Sequence, residues 1–268
     1  MHPRLSVDQL CFPGATLVEF AEHCRTLGAH HVVLSSPQLL EAGSAELAKQ
    51  VLKGGAKVEA INHPFAIYPD LESDDGTAAA TLARLIPIAA ELGTTSIYLI
   101  TGGRGNLGWA EAADRFRELV ASASVAAKAE GMALMIENAS ALYADIHIAH
   151  TLADTLALAE RAGLGVCIEL QFCWAEAGLH DLFQQAVTHC GLVQVSDYVL
   201  GDRAVPGRAV PGDGALPLEH LLASLLEAGY AGLFDIELIG PRIDAEGHLA
   251  AVARAADQLG SILNSIGA

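Results

Sequence analysis

Basic residues are scarce in this sequence. Lysine and arginine together number 15 against 32 aspartates and glutamates, which leaves a formal net charge of −17 at pH 7. A surface of that sign repels phosphate backbones and anionic lipid headgroups. We therefore expect neither a nucleic acid nor a membrane as partner, and a small molecule as substrate.

Long apolar runs are missing as well. No stretch reaches the roughly eighteen apolar residues that a membrane-spanning helix needs. The first ten residues, MHPRLSVDQL, also lack the basic and apolar regions of a secretory signal peptide. These absences favour a cytoplasmic protein.

Paired cysteines are absent too. The cysteines are odd in number and form no CxxC pair, which argues against a disulfide framework and against a structural zinc site. We expect buried free thiols at Cys11, Cys24, Cys167, Cys173 and Cys190.

Neither of the common phosphate-binding loops is present. The segment LCFPGAT after the first apolar run lacks the GxGxxG spacing of a dinucleotide-binding fold, and TGGRGNLG (101–108) matches neither that spacing nor a Walker loop. An open Rossmann sheet is therefore disfavoured. The glycine-rich segment is interpreted as a flexible substrate loop or a plain turn.

What the chain does contain is eight short apolar runs, each followed by a segment of helical length. This alternation is typical of βα units around a parallel sheet, and 268 residues without a composition break suit one closed (β/α)8 barrel over residues 1–268. The predicted strands are 5–11, 31–35, 57–62, 96–101, 132–137, 165–170, 191–196 and 232–237. The predicted helices are 16–28, 38–53, 76–92, 109–130, 150–162, 176–189, 217–228 and 245–264.

Four successive predicted strands carry a polar side chain at or near their carboxyl end, namely Glu137, Glu169, Gln194 and Glu237. The carboxyl ends of barrel strands carry the chemistry in this architecture. Because side chains two apart share a face, counting back from Glu237 also puts Asp235 inside the barrel, where it must be neutral, hydrogen-bonded or paired. Acids at inward positions that could have been apolar indicate that a cation balances them.

The strand-end motifs, in this order, resemble the xylose-isomerase-like TIM-barrel superfamily, which takes in sugar isomerases and epimerases, inositol-pathway enzymes and type 2 apurinic endonucleases. The motifs are IEN (136–138), IELQF (168–172), VQVSD (193–197), RAVPGDG (208–214) and GLFDIEL (232–238). The resemblance implies one divalent metal held by Glu137, Glu169, Gln194 and Glu237. Two of these depart from the family pattern, since Glu169 replaces an aspartate and Gln194 replaces a histidine.

An all-oxygen ligand set favours Mn²⁺ or Mg²⁺ over zinc, with Mn²⁺ preferred here. What the resemblance implies about function is an isomerase or epimerase of a sugar-like polyhydroxy carbonyl compound that acts through an enediolate. Glu137 and Glu237 would then be the base and the acid at the two faces of the substrate.

Substrate contacts are expected from four further residues. Arg208 would hold a substrate oxygen, although the near-repeat RAVPGRAVPG leaves open whether Arg203 or Arg208 points inward. The histidine that the family often has three residues after its aspartate is Phe172 here, and Gln171 is a candidate replacement for that contact. His63 stands at the end of the third predicted strand, and Trp174 either stacks on a sugar ring or packs within the fold. The HxxH pair of His147 and His150 is interpreted as a surface feature.

Other functions remain open from the sequence. A lyase or dehydratase, for example one that cleaves a 3-oxo-glycoside by β-elimination, would use the same chemistry with a different outcome. A non-catalytic accessory barrel, a homo-oligomer and a complex with a partner subunit are also compatible with the sequence. An apurinic endonuclease is disfavoured, because that activity needs several strand-end histidines and a basic surface.

Overall fold

The computed structural model describes all residues, 1–268, and its strands close into one parallel barrel. Each strand pairs with its neighbours in chain order, and the last strand pairs with the first. The predicted (β/α)8 architecture is therefore confirmed. The strands are β1 (Leu5–Asp8), β2 (His31–Ser35), β3 (Lys57–Ala66), β4 (Ser96–Gly102), β5 (Ala133–Glu137), β6 (Gly165–Glu169), β7 (Cys190–Val195) and β8 (Leu233–Ile236).

A ring of helices surrounds the barrel. These are α1 (Leu17–Leu27), α2 (Ser36–Leu39), α3 (Ser44–Leu52), α4 (Thr77–Glu91), α5 (Trp109–Ala129), α6 (Leu152–Ala162), α7 (Leu170–Cys173), α8 (Leu179–Ala186), α9 (Leu218–Glu227), α10 (Pro241–Glu246) and α11 (His248–Ser265). Short 3₁₀ turns lie at Gln9–Cys11 and Ala141–Tyr143. None of the helices combines the length and apolar character that crossing a bilayer requires.

Several element bounds differ from the prediction. The predicted helix 38–53 is two helices, α2 and α3, separated at Gly43, whose φ of 83° is incompatible with a continuous α-helix. The predicted strand 5–11 stops at Asp8, whose side chain accepts a hydrogen bond from the amide of Leu10 and starts a 3₁₀ turn. The third strand continues four residues beyond 62, to Ala66. Because the strand continues, the side chains after residue 62 still alternate between its two faces.

The start of α1 shows how local sequence sets a boundary. Thr16 accepts a hydrogen bond from the amide of Glu19, and the Glu19 carboxylate accepts one in return from the amide of Thr16. This reciprocal capping box satisfies two backbone donors that the first turn leaves free. The capping box explains why α1 begins at Leu17.

Apolar side chains separate into two clusters. The larger one lies between the strands and the helices and includes Ile61, Ile136 and Ile168. The smaller one fills the inside of the barrel, with one residue from each of six consecutive strands, namely Val33, Ala60, Tyr98, Met135, Cys167 and Leu192. These six residues fix the inward face of each strand, and therefore which residues at the strand ends face the barrel axis.

The cysteines form no disulfides. Cys11, Cys24, Cys167 and Cys173 are buried and Cys190 is half-buried. The expectation of free thiols holds. Burial raises the pKa of all five thiols, so none of them is a reactive thiolate at neutral pH.

Candidate active site

Three glutamates meet at the carboxyl end of the barrel. Glu137 ends β5, Glu169 ends β6 and Glu237 directly follows β8. One carboxylate oxygen from each lies within 4.8 Å of the others, and all three residues are at least 95% buried. Such convergence follows from strand parity, because Met135 and Cys167 lie inside the barrel two residues before Glu137 and Glu169.

Asn138 holds two of these strand ends together. Its side-chain oxygen accepts from the amide of Glu169 at 2.8 Å, and its side-chain nitrogen donates to the carbonyl of Glu169 at 2.9 Å. Asn138 is fully buried. This two-point contact fixes Glu137 and Glu169 on one side of the site.

Arg208 is the cation of the site. Its guanidinium donates to Glu169 Oε2 at 2.5 Å and to Glu237 Oε1 at 2.8 Å, so it bridges two of the three carboxylates. Its carbon Cζ lies 5.3 Å from the centre of the Phe172 ring, within the range of a cation–π contact. Of the two arginines in the near-repeat, Arg208 is therefore the one that points inward.

The exposed Arg203 lies elsewhere. Its guanidinium donates to the hydroxyl of Tyr198 at 3.1 Å and to the carbonyl of Asp202 at 3.0 Å. Arg203 lines a separate cavity at the mouth of the barrel. Of the two arginines in the near-repeat, Arg208 thus contacts the carboxylates and Arg203 lies at the mouth of the barrel.

The three carboxylates cannot all be charged without compensation. Two unit charges 4.8 Å apart repel by about 3.5 kcal/mol at an effective dielectric constant of about 20. Burial, with the charges of Glu237 and Glu169, raises the pKa of Glu137 well above its usual range. Burial also raises the pKa of Glu237 to about 8, even though Arg208 opposes the shift.

This charge distribution fits a divalent cation. When all three carboxylates are ionised, they and the Arg208 guanidinium carry a formal charge of −2, which one divalent ion would cancel. The Glu137 side chain makes no hydrogen bond and faces a cavity, so its oxygens are free to bind. Carboxylate oxygens are the ligands that Mg²⁺ and Mn²⁺ favour.

Gln194 approaches the cluster in a different role from the one the resemblance implied. Its amide nitrogen donates a short hydrogen bond to Glu237 Oε2, and its amide oxygen accepts from the Cys167 thiol at 3.5 Å. In this orientation Gln194 donates to one of the acids instead of presenting an oxygen to a cation. Rotating the amide by 180° would exchange its oxygen and nitrogen.

A chain of buried polar groups continues from Gln194 into the barrel. The Gln194 amide nitrogen lies 3.3 Å from the Tyr98 hydroxyl, which donates to Asp8 Oδ2 at 2.9 Å. All three residues are fully buried. Glu237 is therefore connected through Gln194 and Tyr98 to a carboxylate at the end of β1.

Asp235 lies beside this chain, inside the barrel as parity predicted. It is fully buried and accepts from the Ser6 hydroxyl at 2.5 Å, while its second oxygen has no recorded donor. Burial and the neighbouring charge of Asp8 raise the pKa of Asp235 well above its usual range. Asp235 is thus a buried, hydrogen-bonded acid, which is one of the states expected from the sequence.

His63 does not join the carboxylates. Its ring nitrogen Nδ1 lies 2.7 Å from the hydroxyl of Ser36 in α2, and burial lowers its pKa to about 4. Since Ala60 faces the barrel axis, Asn62 shares that face and His63 points outward, towards α2. Asn62 is the β3 residue that lines the carboxylate cavity.

His147 is buried, so its interpretation as a surface residue was wrong. Its Nδ1 accepts from the amide of Thr101 at 3.0 Å, and its Nε2 lies 2.7 Å from the carbonyl of Glu137. Accepting at Nδ1 assigns the proton to Nε2, which donates to that carbonyl. Burial lowers the pKa of His147 to about 4, so the ring is neutral and fixes the end of β5.

Two cavities lie at this end of the barrel. An inner cavity of about 170 Å³ contains Glu137, Glu237 and Arg208, and Asn62 and His147 also line it. An outer cavity of about 420 Å³ lies over the ends of β5, β6 and β7. Tyr143 and Phe172 line both.

Gln171 and Trp174 belong to the outer cavity. The Gln171 amide nitrogen donates to the carbonyl of Gly207 at 2.9 Å, and its oxygen accepts from Ser196 at 3.0 Å and from Arg208 at 3.4 Å. Gln171 therefore ties the loop that carries Arg208 to β6 and β7. Trp174 is half-buried against the core and presents part of its ring to the cavity.

Asp197 orders the long loop between β7 and α9. Its buried carboxylate accepts from the backbone amides of Gly212 and Gly214, each at 2.9 Å, and of Leu216 at 3.0 Å. A Cβ at Gly214 would lie 2.2 Å from Asp197 Oδ1, so this close approach needs glycine. The loop is fixed by this acid and presents Arg208 inward.

The glycine-rich segment after β4 packs against neighbouring backbone. A Cβ at Gly102 would lie 1.8 Å from the carbonyl oxygen of Ala66, and one at Gly103 would lie 2.2 Å from that of Asp145. The amide of Gly102 donates to the carbonyl of Ile146. Of the two interpretations, a packed turn fits better, and it supports the loop that carries Tyr143.

Comparison with known proteins agrees with the barrel fold. The family model described as "Xylose isomerase-like TIM barrel" matches residues 14–259. No curated protein matches the chain in sequence.

Three solved structures share the fold along nearly the whole chain. A protein from Sinorhizobium meliloti 1021 has a TM-score of 0.82 at 20% identity over 98% of both chains. The IolI protein, described with a bound zinc atom, has a TM-score of 0.81 at 15% identity, again over 98% of both. An L-ribulose 3-epimerase has a TM-score of 0.80 at 19% identity, over 98% of this chain and 95% of its own.

Proposed function

We propose a function on the premise that this chain belongs to the xylose isomerase-like TIM barrel family, whose model matches residues 14–259. The protein is a divalent-metal-dependent isomerase or epimerase of a sugar-like polyhydroxy carbonyl compound. One observation carries the proposal: three buried glutamates converge within 4.8 Å and, when ionised, carry more negative charge than Arg208 balances. The epimerase among the solved structures of this fold is consistent with it.

Glu137, Glu169 and Glu237 would hold the ion, with Gln194 as a fourth ligand if its amide is reversed. Mn²⁺ and Mg²⁺ suit this donor set. A bound divalent ion stabilises the negative charge that develops on a carbonyl oxygen when the adjacent carbon loses its proton.

The chain's own residues would carry the proton. Glu137 has a free carboxylate facing the inner cavity, and Glu237 lines the same cavity. A carboxylate within reach of a substrate proton serves as a general base, and its protonated form as a general acid. We assign Glu137 and Glu237 as the pair that removes and returns the proton, and Arg208 as a donor to a substrate oxygen.

A lyase is the second candidate, favoured by one observation. The outer cavity adjoins the inner one at Tyr143 and Phe172 and offers space for a leaving group. In that case the same proton abstraction would be followed by loss of a β-substituent instead of reprotonation.

Metal content and isotope exchange test the proposal. Protein purified without chelator should contain close to one equivalent of divalent metal. With candidate ketoses in D₂O, an isomerase incorporates solvent deuterium without losing a group, whereas a lyase releases an aglycone or water. A protein that binds no added Mn²⁺ and exchanges no proton would instead be an accessory barrel.

Glu137→Gln is the decisive variant, because it keeps the shape of the side chain while removing its charge and proton. We expect it to abolish exchange while the thermal transition stays cooperative. Glu176→Gln is a matched control, since Glu176 is a half-buried acid outside the carboxylate cluster. Full turnover by Glu137→Gln would remove Glu137 from the mechanism.

A further inference from the structure

The outer cavity holds an unusual share of the chain's aromatic side chains. Of the seven phenylalanines, two tryptophans and five tyrosines in the sequence, four line this one space. They are Tyr143, Phe172, Trp174 and Tyr198, and all four are only partly buried. Partly exposed aromatic rings around one concavity are typical of a ligand site.

The rest of the wall strengthens this interpretation. Leu142 is 66% exposed and Val205 is 46% exposed, and both line the same cavity. Large apolar side chains at the mouth of a cavity leave water-facing surface that an apolar ligand would cover. Neither residue packs into the core.

The outer and inner cavities share two of their lining residues. Tyr143 and Phe172 belong to both, and their ring centres lie 6.0 Å apart with the planes at 64°. The inner cavity, at about 170 Å³, is below the roughly 300–1,000 Å³ of a site for a drug-sized ligand. A ligand that fills both spaces therefore has two parts.

We propose that the outer cavity binds an aromatic group attached to the sugar-like carbonyl compound that occupies the inner cavity, so that the substrate class is a polyhydroxy carbonyl compound with an aryl substituent. The assignment of the inner part rests on the function proposed above. The aromatic part rests on the lining of the outer cavity alone.

A larger groove of about 920 Å³ also reaches the inner cavity, on the side of Leu10 and Ile239. Its one aromatic side chain is Phe12. That ring is buried and already stacks on His23, with centres 4.5 Å apart and planes at 19°. The groove therefore offers no free aromatic face, and the outer cavity is the better site for a planar ring.

Binding of matched glycosides tests the proposal. Pairs of 4-nitrophenyl and methyl glycosides of glucose, galactose, mannose and xylose are titrated into the Mn²⁺-supplemented protein by calorimetry. In at least one pair the aryl compound should bind about tenfold more tightly than the methyl compound, since stacking adds to the area it buries. Equal affinities, or no binding, across all four pairs would overturn the proposal.

Variants locate the aryl group. Trp174→Ala should reduce the aryl-to-methyl affinity ratio to about one. Leu142→Asp, at an exposed position where the fold tolerates change, should lower the ratio several-fold. Tyr68→Ala is the matched control, because Tyr68 is an aromatic side chain 86% exposed and outside both cavities. An unchanged ratio in both Trp174→Ala and Leu142→Asp would contradict the assignment.

The failure of this binding test can be distinguished from the failure of the proposed function. Deuterium exchange into free ketoses without an aryl preference would leave the proposed function standing and remove the aryl subsite. The protein could instead prefer the aryl compound in a way that depends on Trp174 and yet bind no metal. That result would support the aryl subsite and contradict the metal-dependent function.

Discussion

The guanidinium of Arg208 donates to Glu237 at 2.8 Å, and both side chains are at least 95% buried. A second donor of Arg208 reaches Glu169 at 2.5 Å. Burial would lower the pKa of Arg208, but the two carboxylates outweigh burial and raise it. Arg208 therefore stays charged and holds two of the three acids together.

Arg208→Met should destabilise the metal-free protein. Removing one partner of a buried ion pair leaves the other charge uncompensated, which costs about 3–5 kcal/mol. Urea unfolding of chelator-treated protein measures the loss. The matched control is Arg203→Met, an exposed arginine from the same near-repeat, which should change stability by no more than about 0.5 kcal/mol. Equal effects of the two variants would show that Arg208 has no special role in balancing the acids.

The stability of the metal-free protein should fall as pH rises, relative to a variant that lacks Glu237. Folding raises the pKa of Glu237 from 4.5 to about 8. A raised carboxyl pKa contributes stability that is fully present below pH 4.5 and is lost as pH rises through about 8. Measured from pH 5 to pH 9, the free energy of unfolding of the wild type should fall steadily relative to that of Glu237→Gln. A difference that is independent of pH would contradict the shift.

Metal should reverse this trend. Binding requires ionised ligands, so Mn²⁺ displaces the proton that Glu237 holds below its pKa of about 8 and binds more tightly at higher pH. The rise in melting temperature on adding Mn²⁺ should therefore be larger at pH 8 than at pH 6. A larger rise at pH 6 would mean that Glu237 is not a ligand.

Tyr98→Phe tests the buried chain behind the site. Removing the hydroxyl leaves Asp8 without that donor and Gln194 without that partner, which should cost about 1–3 kcal/mol of stability. Because Gln194 contacts Glu237, kcat should also fall by about 2- to 10-fold with KM little changed. In the control, Tyr230→Phe, the lost hydrogen bond is to the Leu233 carbonyl, which takes no part in the chain of hydrogen bonds from Glu237 to Asp8. Tyr230→Phe should lose stability without a fall in kcat. Equal kcat values in the two variants would contradict the positioning role of Tyr98.

Gln194→His restores the imidazole that the family pattern has at this strand end. Imidazole favours zinc over Mn²⁺, so the variant should bind zinc more tightly relative to Mn²⁺ than the wild type does. Competition between the two ions with a fluorescent chelator measures the ratio. An unchanged ratio would show that the side chain at 194 stays outside the coordination shell.

Much of this site could be predicted from the sequence, because two short-range rules were enough. Alternation within each strand put Glu137, Glu169, Glu237 and Asp235 on inward faces, and the parallel arrangement brought the strand ends to one rim. Both rules depend only on residue spacing. The carboxylate cluster therefore follows from the pattern once the barrel is assumed.

Other features depend on contacts that spacing does not encode. His63 points outward because β3 continues to Ala66 with Ala60 facing the barrel axis. His147 is buried because its loop folds back on Thr101. The choice between Arg203 and Arg208 depends on how Asp197 and Gln171 fix a loop whose sequence nearly repeats itself. The polar role of Tyr98 depends on its contacts with Asp8 and Gln194, which lie about 90 residues or more away in the chain.

Anomalous diffraction from crystals grown with Mn²⁺ tests the central claim most directly. We expect one strong peak at the manganese edge, bound by oxygens of Glu137, Glu169 and Glu237 at roughly 2.0–2.3 Å, with Arg208 beside it. No peak at saturating Mn²⁺, or a peak away from these three side chains, would contradict the account.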